Sequence, residues 1–407
     1  MTGSPEPRGG RAPSPLKLCY VTNLFPPVQT GTSYYSRQLA EAMSARGHSV
    51  LVVTCSQSRE YSDRMEDGLR VIRLPSLGVP RLSLLQGFDG FRLAWTVGNL
   101  SRATLAVRAF KPDLIHACGH LLDLTHLAGR LARNLRVPSA CSIHTVIHHP
   151  GSRPLNWLLQ NVDRHVHRRA AMNWFDHILT LDRVTDTYAR RAYPGKPTIP
   201  VPWGVGFDFD RYQHQPGDGP LQILSVGHLT PMRSRAELIA AAASLVREGL
   251  SFNIRILGKI CTEEPLRQVR ELGIADRVVF LGEQPRERVL EELCACDVHA
   301  MWITNPGVGS AGMEAMCVGV PTMMWASPDQ LGFVSLEHME NAVLIDPGTP
   351  QTIVDSLRLL AGDKGLRERI GRKARALARQ NFAWPGAAAR MESIYDSIVV
   401  GGTRQTR

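Results

Sequence analysis

Glycines at 307, 309 and 312 stand in the segment Asn305-Pro-Gly-Val-Gly-Ser-Ala-Gly-Met-Glu-Ala-Met-Cys-Val-Gly-Val-Pro321, directly after the apolar run 298–303. The run reads as a strand, the glycines as a turn, and the remainder as a helix beginning near Ser310. Glycines let a ligand approach the backbone, and first-turn N–H groups with the helix dipole offer positive potential to an anion. Asn305, Gly307, Val308, Gly309 and Ser310 are therefore candidate ligand contacts. Glu314 falls about one turn further in, where a carboxylate suits a hydroxyl better than a phosphate. Diphosphate on the amides and ribose on the carboxylate together describe a nucleotide sugar. The same pattern also fits a glycine-rich strand-to-helix turn of an ordinary α/β sheet.

Both halves of the chain alternate short Val/Ile/Leu runs with helical spacing, the mark of parallel βαβ sheets. Strands are predicted near 17–22, 49–54, 70–74, 113–117, 139–144, 177–181 and 199–202. A second series follows near 221–227, 252–258, 277–281, 298–303, 321–325 and 342–345. The linker Gln215-Pro-Gly-Asp-Gly-Pro220 separates the two series. A length of 407 residues agrees with two domains of roughly 190 residues each. The expected class is α/β, with two Rossmann-like, doubly wound domains facing across a cleft, and ligand at the carboxyl ends of the strands. The expected units are a disordered leader 1–16, an acceptor-side domain 17–207, a nucleotide-sugar domain 208–380 and a final segment 381–407. Closing helices near 350–361, 364–380 and 385–399 exceed what the second sheet needs.

A hydrophobic content of 43% supports full cores, and no apolar run nears the ~18 residues of a membrane span. Residues 1–16 lack the apolar stretch of a signal peptide. The eight cysteines form no Cys-x-x-Cys pair, which implies reduced thiols and a cytoplasmic location. Cys294 and Cys296 make a poor metal pair, and the adjacent His148 and His149 diverge with no carboxylate at ligand spacing, so no metal site is expected. The net charge of +10 is uneven: residues 1–205 carry 25 Lys and Arg against 13 Asp and Glu. Arg130, Arg133, Arg136, Arg164, Arg168 and Arg169 belong to this excess. It fits attraction of an anionic substrate, peripheral contact with an anionic membrane face, or solvated helices without function. No base-reading helix or stacking motif accompanies the charge, which argues against nucleic acid.

Near the N-terminus, Lys17-Leu-Cys-Tyr-Val-Thr-Asn-Leu-Phe-Pro-Pro27 precedes Thr30-Gly-Thr-Ser33 and the turn Arg46-Gly-His-Ser-Val50. With the Glu314-Ala-Met–x–x–Gly–x–Pro helix, Gly227-His-Leu-Thr-Pro, Pro200-Val-Pro-Trp-Gly-Val205 and Val279-Phe-Leu-Gly282, these resemble the retaining glycosyltransferases of family 4, which have the GT-B fold. Cys296-Asp-Val298 and Glu340-Asn-Ala-Val-Leu-Ile-Asp-Pro347 extend the likeness, which runs from about Lys17 to about Tyr395. The resemblance implies that the last helix crosses back onto the first domain, with the kink at Phe382-Ala-Trp-Pro385. It implies front-face transfer, in which the protein needs no covalent nucleophile. Charge on the departing diphosphate must be stabilised and two substrates oriented.

The family's Arg and Lys after the second domain's first strand correspond here to His228, following Gly227, and to Arg233, with Arg235 able to compete for the same role. Arg233 keeps a permanent charge, whereas the charge of His228 depends on pH near neutrality unless the diphosphate raises its pKa. Each is also readable as an ordinary turn residue. Gly31 keeps the second loop glycine and offers its amide to the β-phosphate, while Thr30 replaces the first, narrowing the loop or supplying a hydroxyl. His144 matches the histidine that reaches the transferred sugar, or else caps its strand. Gly282 closes the Val279-Phe-Leu-Gly motif on the donor side.

The largest departure is Pro306, where the family carries a glutamate that contacts the donor sugar. A proline has neither an acidic group nor an N–H, and Asn305 is the nearest substitute. The expected function is transfer of a sugar from a UDP- or GDP-sugar to a small soluble acceptor, in a secondary-metabolite pathway, without a further cofactor. The alternatives are a membrane-surface transferase with a lipid-linked acceptor and a catalytically inactive GT-B partner protein.

Overall fold

The computed structural model describes residues 14–28, 30–78, 92–147, 153–230, 233–301, 306–345 and 350–405. Asn305, His148, His149 and most of the leader lie outside them. The strands are β1 (Lys17–Val21), β2 (Ser49–Cys55), β3 (Ser62–Glu66), β4 (Leu69–Leu74), β5 (Leu77–Gly78), β6 (Arg92–Leu93), β7 (Leu114–Cys118), β8 (Ser139–Ile143), β9 (His177–Thr180) and β10 (Thr198–Pro200). Then come β11 (Leu221–Val226), β12 (Phe252–Leu257), β13 (Val278–Gly282), β14 (Val298–Ala300), β15 (Thr322–Met324) and β16 (Val343–Leu344). The first sheet has the order β10-β9-β8-β7-β1-β2-β4-β3, and the second β13-β12-β11-β14-β15-β16. Both are parallel except for β3, which pairs antiparallel with β4. Their order reverses between β1 and β7 and between β11 and β14. Ligands bind at such switch points, outside the strands' carboxyl ends.

Local chemistry sets the elements. Leu18, Cys19, Tyr20 and Val21 of β1 are all buried, as expected of a central parallel strand covered on both faces. Helix Gly31–Ala45 starts where Thr30 Oγ1 accepts the Ser33 N–H at 3.1 Å, and it buries Tyr35, Leu39 and Met43 at helical spacing. Strand β3, Ser-Asp-Arg-Met-Glu, was absent from the sequence expectation because it carries no Val/Ile/Leu run. It edges the sheet with charge, bound through Asp63–Arg70 at 2.8 Å and Glu66–Arg73 at 2.6 Å.

The chain crosses between the sheets twice, side by side: Val205 N donates to Phe382 O at 2.8 Å. Helix Lys364–Asn381 ends there and helix Trp384–Gln405 begins, with Pro385 in its first turn, where a missing N–H costs nothing. That helix crosses back onto the first sheet, burying Ala388, Met391, Tyr395 and Ile398 with Leu18, Tyr20 and Leu39. Polar contacts fasten it: Tyr395 Oη meets His116 Nδ1 at 2.8 Å, and Glu392 meets His48 Nε2 at 2.9 Å. At Gly204 a Cβ would sit 2.6 Å from the Trp384 ring, so the crossing requires a residue without one. No described helix is long and apolar enough to cross a membrane.

Candidate active site

At the first switch point the ends of β1, β7 and β8 border an open cleft, lined by Thr22, Asn23, Thr32, His120, His144 and Thr145 among others. His144 follows β8. Its Nε2 meets Ser142 Oγ at 2.8 Å and its Nδ1 meets Thr32 Oγ1 at 3.3 Å, while its ring lies edge-on to Tyr35 and Trp203. Burial pulls its pKa down to about 3, so the ring is neutral. The fold thus joins His144 to the loop that opens helix Gly31–Ala45. The Thr30 hydroxyl is spent on its helix cap. At Gly31 the nearest atom to an added Cβ would be Trp203 Cζ2 at 3.9 Å, so packing alone does not demand glycine there.

At the second switch point, β11 runs into the loop carrying Gly227, His228 and Arg233. Its organiser is Arg235, only 1% exposed. The buried guanidinium donates to Ser225 Oγ at 3.0 Å, to Gly227 O at 2.9 Å, to His228 O at 3.4 Å, and to Arg233 O. Burial, then the like charge of Arg233, lowers its pKa to about 10, which leaves it a cation at neutral pH. Arg235 therefore shapes the loop from beneath, while Arg233 and His228 are exposed on it. His228 Nδ1 accepts the Lys259 N–H at 3.1 Å, which places the proton of the neutral ring on Nε2. The neighbouring Gly258 is forced: at φ 141° its Cβ would lie 2.2 Å from Gly227 O. Its N–H donates to Gly282 O at 2.8 Å, and Gly282 itself sits at φ 67°, a structural reason for that glycine.

Beyond β14, helix Gly309–Val318 starts after Gly307 at φ 155° and with Gly309 at φ 60°, conformations that favour glycine. The Gly307 N–H is already committed to Trp325 O at 2.9 Å, so it is not open to a phosphate in this conformation. Ser310 is exposed in the first turn, and Val308 is buried against the site of Gly312. Glu314, one turn on, is 16% exposed and bonded by Arg286. Sequence reading missed Arg286, Gly258 and Thr32, and His120 in the first cleft. Each acts through a partner distant in sequence, and only the Pro285-Arg286 helix start carried a local signal.

Two Rossmann-like domains joined by a hinge, each with its switch point lined by polar groups, define the GT-B class of transferase. Residues 30–204 match the family of glycosyl transferase 4-like domains, and residues 206–377 match glycosyl transferases group 1. A 2-deoxystreptamine N-acetyl-D-glucosaminyltransferase of Streptomyces fradiae is 30% identical over 321 residues, covering 72% of each chain. A D-inositol 3-phosphate glycosyltransferase of Corynebacterium efficiens is 32% identical over 177 residues, which span 42% of this chain and only 41% of that protein. Among solved structures, Anabaena HepE in complex with UDP superposes with a TM-score of 0.69 at 18% identity, covering 94% of this chain and 100% of that one. The chain belongs to the GT-B glycosyltransferases of the family 4 type.

Proposed function

We propose that the protein is a retaining glycosyltransferase that moves a sugar from a UDP- or GDP-sugar onto a small acceptor seated in the first cleft. The observation that carries this is the second switch point, where exposed Arg233 and His228 sit on a loop braced by Arg235, while Glu314 stands one turn into the adjoining helix. The diphosphate lies between Arg233, His228, the Gly31 loop and the Ser310 turn. Arg233 offsets the leaving charge, the N–H donors stabilise it by hydrogen bonding, and His144 reaches the sugar. The boundaries 17–207 and 208–380 divide acceptor side from donor side. Solved HepE complexes hold UDP and UDP-glucose, and the Streptomyces fradiae relative is named for a small acceptor, which favours secondary-metabolite assembly here. Eight free cysteines agree with a cytoplasmic location. The test is product analysis by NMR: the anomeric centre should keep the donor's configuration. Inversion would remove the retaining mechanism.

In this reading His228 donates from Nε2, because its Nδ1 already accepts the Lys259 N–H. His228→Ala should therefore lower kcat by about tenfold or more, and His228→Arg should restore part of it; a parental rate in His228→Ala would leave His228 a turn residue. Pro306 stands where the family resemblance implies a carboxylate against the donor sugar. Restoring glutamate there should shift kcat/KM toward common hexose donors. Equal donor profiles would show that position 306 does not face the sugar.

One observation favours a second reading, the membrane-surface enzyme. Trp157, Leu158, Val162 and Val166 are exposed on the stretch that starts with helix Arg153–Val162, and Arg153, Arg164, Arg168 and Arg169 lie among them. Sedimentation with anionic phosphatidylglycerol vesicles, lost in Trp157→Ser, would support it. Equal recovery with and without vesicles would remove it.

A further inference from the structure

Glu314 Oε1 receives two hydrogen bonds from Arg286, Nε at 3.1 Å and Nη2 at 2.9 Å. The same Nη2 donates to Gly206 O at 2.6 Å. Arg286 opens helix Arg286–Ala295 after β13, whereas Gly206 belongs to the crossing between the domains. On its other side Gly206 abuts Gln38 of helix Gly31–Ala45, where a Cβ would lie 2.2 Å from Gln38 Nε2. Gln38 Oε1 in turn accepts the Trp384 Nε1–H at 3.1 Å. One guanidinium thus ties a largely buried carboxylate to the hinge.

We propose that Arg286 is a positioning residue for nucleotide recognition, acting through Glu314; the inference rests on the reading of Glu314 as the ribose ligand. A carboxylate has about four lone-pair sites. Arg286 fills those of Oε1 and fixes the side chain, and Oε2, which has no hydrogen-bond partner among the described residues, is left for the ribose diol. The guanidinium also offsets the carboxylate charge. Without it, Glu314 would repel a diphosphate held about one helical turn away. Its bond to Gly206 O makes the orientation of the ribose ligand depend on the hinge.

Calorimetric titration of the full chain with UDP and, in parallel, GDP tests this. Arg286→Ala should weaken the nucleotide that binds by about tenfold, and less at high salt, where repulsion is screened. Arg286→Lys, which keeps the charge, should stay within about threefold of the parent. If the alanine form does not fold, Arg286→Gln, which loses both the charge and the two-nitrogen grip on Oε1, should show the same roughly tenfold weakening, and parental binding by it overturns the inference. The Arg286→Ala/Glu314→Ala double variant should bind no more weakly than Glu314→Ala alone, since residues acting as a unit are not additive. Unchanged binding by Arg286→Ala beside a weakened Glu314→Ala overturns the inference and leaves the functional reading intact, and additive losses overturn it equally. An unaffected Glu314→Ala removes the ribose assignment itself.

Discussion

Replacing Arg233 with alanine is expected to lower kcat by about 10²–10³, the loss that follows removal of one preorganised group stabilising transition-state charge. In the proposed front-face transfer no covalent nucleophile shares the barrier, so most of the stabilisation must act on the leaving diphosphate. Arg233 lies exposed on a loop whose carbonyls at 227, 228 and 233 are all held by Arg235. The backbone should therefore survive the truncation, and a lost rate will report lost charge. Arg235→Ala differs, for it removes the brace and should lower the melting temperature as well as the rate. Sugar transfer at the parental rate by Arg233→Ala would refute the phosphate assignment.

Acidification should destabilise the fold steeply between pH 7 and pH 5. His116 and His120 are each 1% exposed and His299 is fully buried. Burial drives the pKa of His116 and His299 from 6.5 to about 3, and that of His120 well below its usual value. The groups facing them are Tyr395, Tyr20 and His144 around His116, Tyr188, His167 and His144 around His120, and Arg235 near His299. The sign follows from linkage: below 6.5 the unfolded chain takes up protons that the folded chain refuses, so stability falls as pH falls. At pH 5 each site costs about 2 kcal/mol, together about 6 kcal/mol. Asp163, whose burial raises its pKa, works in the opposite sense and offsets part of this. The midpoint of thermal unfolding should drop by about 5 °C. His299→Leu should flatten the slope, because neither ring nitrogen of His299 finds a partner among the described residues. A midpoint that holds constant from pH 7 to pH 5 would show these rings to be hydrated.

Much of the fold was legible because parallel strands buried on both faces read as continuous apolar runs, as in Val50-Leu-Val-Val53 of β2. Strand β3 escaped, being an edge built on charge pairs rather than burial. The glycine-rich helix start was legible for a related reason, since φ at 307 and 309 demands that residue type. What stayed hidden depends on partners far along the chain. Nothing local tells that the Gly307 amide is taken by Trp325 O, or that Arg286 grips Glu314. Gly258 illustrates the same limit, because its need for a bare Cα arises only from the approach of Gly227 O. Arg235 was visible as a rival to Arg233. Only burial shows that one braces the loop and the other stands on it.

In the proposed function the second switch point binds the diphosphate of a nucleotide sugar. Thermal unfolding of the full chain against a panel of UDP- and GDP-sugars tests it most directly, since a ligand that binds only the folded state raises the midpoint. A saturable rise is expected with at least one donor, largely abolished in Arg233→Ala and retained in His144→Ala, whose proposed contact is with the sugar rather than the diphosphate. No rise with any UDP- or GDP-sugar, or an equal rise in the Arg233→Ala protein, would contradict it.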